Sequence, residues 1–174
     1  ELISALEYLH GRRLVHGNVA GETVLLTRNG SVKLAGFSLT NLLGERDQER
    51  ARRRLLDPDA VAYMAPEAIR GKPLEARSDF FSFGCVMYEA LTGRPPFAAK
   101  TAEEIAGAVL NGQPASPEKI RSDVDRDAVA IIGRCLFKDP EKRPATAREI
   151  RDAITRVAPE LRAISEPMDS SPLG

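Results

Sequence analysis

The sequence predicts a mainly α-helical fold with one small β-hairpin, and three observations support this prediction. Apolar residues recur at helical spacing at the start of the chain and in four segments of its second half. Two of these segments open with a capping-box pattern, which is typical of helix N-termini. Near residue 30, an Asn-Gly pair separates two short runs rich in β-branched and aliphatic residues, a strong hairpin signal. The predicted order is helix, hairpin, long loop and then helices.

The first elements are a helix and the hairpin. Leu2, Leu6 and Leu9 lie on one helical stripe. Because this helical pattern already includes the first residue, we expect the chain to be part of a longer protein. The hairpin strands are predicted over residues 24–27 and 31–34, on either side of the turn.

Helical patterns dominate the second half of the chain. The segment 36–59 has no sustained period and predicts a long loop, with one helical turn near Arg50. The segment 78–91 is apolar on nearly all sides, which predicts a buried helix. Capping boxes begin at Thr101 and Thr146. The remaining helices are predicted over residues 101–110, 125–137 and 146–157.

Composition excludes several classes of partner. The chain has 25 basic and 25 acidic residues, so its net charge of zero predicts no electrostatic binding of nucleic acid. No apolar run reaches the about 18 residues of a membrane span, so we expect no membrane insertion in this segment. Cys85 and Cys135 lie in apolar stretches without another ligand at metal-binding spacing. We interpret them as core thiols of a cytoplasmic, reducing compartment and expect no metal site.

The domain boundary lies near the C-terminus. Residues 1–158 contain all of the helical and hairpin patterns and predict one domain. Residues 159–174 contain three prolines and several serines, a composition typical of a tail or linker.

A set of motifs carries a resemblance to a known family. They lie at residues 5–10, 14–16, 24–26, 32–35, 63–67, 78–84, 91–97 and 138–144. Each motif alone could arise by chance, but their shared order and spacing are specific. On these motifs the chain resembles the C-terminal lobe of eukaryotic-like Ser/Thr protein kinases of the bacterial Hanks type. The resemblance implies the fold of that lobe, with the N-terminal lobe that carries the Gly-rich loop and the phosphate-binding Lys absent.

The resemblance implies that the catalytic positions are replaced. Asn18 stands where the family has its catalytic Asp, and Ala20 where it has a phosphate-neutralising Lys. Thr23 and Gly36 stand where the family has its metal-binding Asn and Asp. An amide is not a usable base at neutral pH, and Mg²⁺ prefers carboxylates. The resemblance therefore implies no catalytic residue and no metal ligand at these positions.

Positions with structural roles in the family keep their residues. The resemblance assigns His16 and Phe37 to the hydrophobic spine and Asp79 to its anchor on the central helix. It assigns Glu67 and Arg143 to a buried ion pair.

Leu25 matches the apolar floor beneath the adenine, and its alternative role is an ordinary core residue.

These replacements lead us to expect a non-catalytic, pseudokinase-like module rather than an enzyme, with no cofactor. It would act on an unidentified protein partner by interaction or regulation. The candidate surfaces are the helix 101–110 and the loop 95–97, by family analogy. The alternative is that the chain is part of a Ser/Thr kinase domain that transfers phosphate from ATP to proteins. ATP and Mg²⁺ would then be its cofactors if a complete N-terminal lobe exists. A third possibility is an eroded gene fragment. A Gly-rich strand and a phosphate-binding Lys upstream would favour the kinase.

Overall fold

The computed structural model describes residues 1–37 and 53–157, and seven α-helices and two strands lie wholly within these ranges. The helices are α1 (Leu2–His10), α2 (Pro58–Val61), α3 (Pro66–Ile69), α4 (Ala76–Thr92), α5 (Ala102–Asn111), α6 (Arg126–Cys135) and α7 (Ala147–Val157). The strands are β1 (Val24–Leu26) and β2 (Val32–Leu34). The mainly α fold with one hairpin is confirmed. Most of the predicted loop 36–59, including the turn near Arg50, and the tail 159–174 lie outside the described residues.

The hairpin brings two distant segments together. Strands β1 and β2 are antiparallel and pair Val24 with Leu34. Gly30 lies in the turn at φ 84°, a left-handed conformation that favours glycine. The N–H of Ala35 donates to the carbonyl oxygen of Thr23 at 2.9 Å, which extends the pairing by one step. As a result, residues 35–37 lie beside the loop that precedes β1.

Helix α4 lies between two apolar clusters. On one side Phe81 packs with Phe97 and with Val109 of α5. On the other side Phe80 and Phe83 pack with α1, α7 and Val19. Because Val19 belongs to the loop before β1, this second cluster anchors that loop to the core.

Capping follows the sequence prediction with small differences. Thr101 caps α5 by accepting the N–H of Glu104 at 3.2 Å, and the Glu104 carboxylate accepts the N–H of Thr101 at 3.2 Å. Thr146 accepts the N–H of Glu149 at 3.2 Å. The predicted helix 125–137 is shorter in the structure, because Asp125 is its N-cap and α6 ends at Cys135.

The two cysteines are buried and free, as the sequence predicts. Cys135 also marks the close contact between α4 and α6. A Cβ atom on Gly84 would lie 2.8 Å from the Cys135 Cβ, a distance that real contacts avoid. Only a glycine lets the two helices approach this closely.

Replacing Gly84 by Ala is therefore expected to destabilise the protein by about 1–3 kcal/mol through overpacking. The matched control is Gly107→Ala in α5, where no atom lies within 4 Å of the added Cβ. That change is expected to stabilise by about 0.5–1 kcal/mol, because alanine is the better helix former. Urea unfolding measures both variants. If Gly84→Ala proved as stable as the wild type, the close helix contact would be wrong.

Candidate functional site

The loop of residues 16–23 is anchored to the first turn of α4 by one carboxylate. Asp79 is 1% exposed and accepts the backbone N–H groups of His16 and Gly17, each at 2.8 Å. The same carboxylate lies 2.8 Å from His10 Nε2 at the end of α1. A single buried anion therefore holds the start of this loop, α1 and α4 together.

The His16 side chain links the loop to the segment after β2. Its Nε2 lies 3.0 Å from the carbonyl oxygen of Ala35, and its Nδ1 accepts the N–H of Asn18 at 3.3 Å. The Phe37 ring meets the imidazole edge-on at a centroid distance of 5.8 Å. Burial lowers the pKa of His16, although the charge of Asp79 opposes this effect. His16 is thus a neutral packing and hydrogen-bonding residue.

Three of the four positions that the resemblance identifies as replaced catalytic positions lie close together in the structure. The Asn18 amide donates from Nδ2 to the carbonyl oxygen of Gly36 at 3.0 Å. The Thr23 hydroxyl contacts the carbonyl oxygen of Asn18 at 2.9 Å, and a Cβ on Gly36 would lie 2.8 Å from its methyl carbon. Ala20 differs, because it is only 2% exposed and its N–H donates to Thr23 Oγ1 at 2.9 Å.

These residues do not fit the Mg²⁺ ion that the resemblance implies in its kinase alternative. Mg²⁺ is held in such sites by one or two carboxylates. Asn18 offers an amide, Thr23 a hydroxyl that is already bonded within the loop, and Gly36 no side chain. Among residues 1–37 and 53–157, no group of three His, Cys, Asp or Glu side chains is arranged to hold a metal ion.

Leu25 is placed differently from a core residue. It is 49% exposed on β1, so the interpretation of Leu25 as an ordinary core side chain is wrong. The hairpin instead leaves the Leu25 side chain about half exposed, so an apolar surface is available to contact the flat face of a nucleotide base. The adenine-floor role of Leu25 stays a prediction.

Residues 17–19 of this loop line one wall of a cavity of about 190 Å³, which the sequence did not reveal. Its walls come from residues 17–19, from Tyr63 and the residues after it, and from α4. Ser82 donates to the carbonyl oxygen of Tyr63 at 2.7 Å, and the Tyr63 hydroxyl donates to Glu89. Burial, followed by the hydrogen bond to Glu89, raises the pKa of Tyr63. The only sequence signal was the motif 63–67, which says nothing of its partners on α4.

The ion pair of Glu67 and Arg143 is bidentate. The Arg143 side chain is 0% exposed, and its two terminal nitrogens lie 2.7 and 2.9 Å from the two Glu67 oxygens. Ser78 also donates to Glu67 at 2.7 Å. Burial by itself would raise the pKa of Glu67, but the hydrogen bonds and charge of Arg143 outweigh it and leave the pKa below its usual value. This pair joins α3 to the segment before α7.

Comparisons with known proteins show which family the chain resembles. A family model described as "Protein tyrosine and serine/threonine kinase" matches residues 1–154. A probable serine/threonine-protein kinase, SCO3848 of Streptomyces coelicolor, is 33% identical over 86% of the chain and 22% of its own length. The serine/threonine-protein kinase PknB of Mycolicibacterium smegmatis is 31% identical over 88% of the chain and 24% of its own length. The chain thus spans about a quarter of the length of these curated relatives.

These comparisons correct one expectation from the sequence. We expected no enzyme, because the positions of Asn18, Ala20, Thr23 and Gly36 are replaced. The family model and the relatives are those of kinases, which are enzymes, so that expectation is wrong.

Within the described ranges, no helix has the length and apolar character of a transmembrane span.

Proposed function

The chain belongs to the protein tyrosine and serine/threonine kinase family, and we propose that it is the C-terminal lobe of a bacterial Ser/Thr kinase domain. In this proposal the complete domain transfers phosphate from ATP to a hydroxyl group of a protein. The 16–23 loop receives that hydroxyl, and the exposed Leu25 contacts the adenine. A cytoplasmic location and an unidentified protein partner accompany the proposal as predictions.

The observation that carries the proposal is an unused acceptor on Asn18. Its Oδ1 atom is buried and has no hydrogen-bond partner among the described residues. A buried acceptor without a donor is costly, so it calls for a partner such as an ordered water or a ligand group. In this proposal a serine or threonine hydroxyl is the donor, and Asn18 forms part of the wall of the cavity of about 190 Å³.

An amide at this position orients the hydroxyl without removing its proton, which passes to an oxygen of the transferred phosphoryl group as the new O–P bond forms and ADP leaves. Phosphoryl transfer passes through a loose transition state, in which positioning and electrostatics do most of the work. Losing the general base costs about 10²–10⁴-fold in rate, against ordinary kinase rates of about 1–100 s⁻¹. We therefore expect slow transfer that depends on Asn18.

The test replaces Asn18 by Leu in the full-length natural protein and follows labelled phosphate from ATP into protein. Leucine keeps the size of the side chain and removes both its acceptor and its hydrogen bond to Gly36, so transfer is expected to fall to the enzyme-free background. Asn111→Leu, at the exposed end of α5, is the matched control and is expected to keep wild-type transfer. Absence of transfer in the wild type, or equal transfer in the Asn18 variant, would contradict the proposal.

A second candidate is regulation of a partner protein by binding, favoured by the lack of carboxylates at residues 18, 23 and 36. The partner surface expected at the loop 95–97 is smaller than the sequence suggested. Phe97 is only 3% exposed and stacks on Phe81 at a centroid distance of 6.0 Å. In this candidate the Asn18→Leu variant would keep the regulatory effect of the natural protein after phosphate transfer is lost.

A further inference from the structure

The Thr23 side chain closes the end of the loop that precedes β1. The Thr23 hydroxyl accepts the N–H of Ala20 at 2.9 Å and shares its proton between the carbonyl oxygens of Ala20 and Asn18, at 3.0 and 2.9 Å. Thr23 is only 6% exposed. Its oxygen is therefore committed to the loop backbone and is poorly placed to leave it for an external cation.

The methyl group of Thr23 occupies the space that a side chain at residue 36 needs. Gly36 has φ 71°, and a Cβ built there would lie 2.8 Å from Thr23 Cγ2 and 3.3 Å from Asn18 Nδ2. Both neighbours are short side-chain groups in a hydrogen-bonded loop. An acidic residue does not fit at position 36 while Thr23 keeps this rotamer.

The Asn18 amide completes the arrangement. Its Nδ2 donates to the Gly36 carbonyl oxygen at 3.0 Å, which ties the loop directly to the segment after β2. The two segments are thus joined by an amide–carbonyl hydrogen bond and a methyl contact. Nothing in this arrangement needs a bound cation to bring them together.

We propose that the Asn18–Thr23–Gly36 cluster makes nucleotide binding by this kinase domain independent of divalent cations. This inference rests on the proposed function, since it concerns the same ATP site. A cation changes the affinity for a ligand only by as much as it interacts differently with the bound and the free state. Because no ligand set for the metal lies among the described residues, this lobe adds little preference for the metal-bound form of ATP over free ATP.

The test is the dissociation constant of ATP for the full-length natural protein, measured calorimetrically in excess MgCl₂ and in excess EDTA. We expect the two constants to agree within about threefold, because the coupling between metal and nucleotide is weak. A loss of affinity in EDTA of more than about tenfold, the scale at which metal sites respond to lost contacts, would overturn the inference. That result would leave the proposed kinase function standing.

Absence of ATP binding in both conditions would overturn the inference and the proposed function together. The two failures are therefore distinguishable, because only the first shows binding in MgCl₂. The phosphate-transfer assay of the Asn18 variant gives an independent check on the second.

A pair of double variants tests the cluster directly. Thr23→Asn with Gly36→Asp removes the methyl and adds two metal ligands, so ATP binding should become at least about tenfold stronger with Mg²⁺ than without. If that variant does not fold, Thr23→Ser with Gly36→Asp is used instead, because serine keeps the hydroxyl that closes the loop. Unchanged binding in both conditions by a folded double variant would overturn the role of the cluster.

Discussion

Replacing Arg143 by Ala is expected to lower the free energy of unfolding by about 3–5 kcal/mol. The variant leaves the Glu67 carboxylate buried without its cation, which is the main cost. It also removes donors to the carbonyl oxygens of Phe137, Arg77 and Lys138, at 2.7, 2.8 and 3.1 Å. These acceptors lie on the segments that the guanidinium joins, so the loss spreads beyond one ion pair.

The matched control is Arg126→Ala in α6, where the side chain is 94% exposed. A surface ion pair of this kind contributes little, so a change within about 0.5 kcal/mol is expected. Urea midpoints compare the two variants, and equal midpoints would contradict the role of Arg143. The pKa of Glu67 is lower in the folded state than in the unfolded state. The stability that the ion pair contributes is therefore fully present above the unfolded-state pKa and is lost as the pH falls through the folded-state pKa. The difference between wild type and Arg143→Ala should therefore narrow in acid.

Replacing Asp79 by Asn is expected to destabilise the protein by about 2–5 kcal/mol, although the side chain keeps its size. The carboxylate accepts from the N–H groups of His16 and Gly17 and contacts His10, whereas an amide has a single oxygen. One buried N–H must then face the new NH₂ group and lose its partner. Thermal unfolding measures the loss.

The matched control for this second prediction is Asp127→Asn on the exposed start of α6, which should remain within about 0.5 kcal/mol of the wild type. Amide hydrogen exchange at His16 and Gly17 adds a local measurement, since their protection should fall in the Asp79 variant alone. Wild-type protection at both amides would show that the carboxylate does not hold the loop.

The elements that the sequence predicted best have signals within a few residues. The Asn-Gly turn and the capping boxes at Thr101 and Thr146 depend on contacts three or four residues apart. The buried helix α4 follows from its continuous apolar run. In contrast, the end of α6 at Cys135 was missed by two residues, because apolar side chains continue past the point where the helical hydrogen bonds stop.

The sequence identified the three positions through family motifs, but it did not predict how they lie relative to one another. Family motifs named Asn18, Thr23 and Gly36, yet nothing local indicates that the Thr23 methyl lies against residue 36. That contact forms because the hairpin brings residue 36 back beside residue 23, which is 13 residues earlier in the chain. The hydrogen bond between Tyr63 and Glu89 was missed for the same reason, since 26 residues separate its partners.

The packing of Thr23 against Gly36 also restricts the order in which substitutions are tolerated over evolutionary time. An acidic residue introduced first at position 36 meets a methyl carbon at 2.8 Å, whereas a smaller or unbranched residue introduced first at position 23 opens the space. An acidic residue at position 36 is therefore tolerated only after a change at position 23, where serine would remove the methyl and keep the hydroxyl that closes the loop.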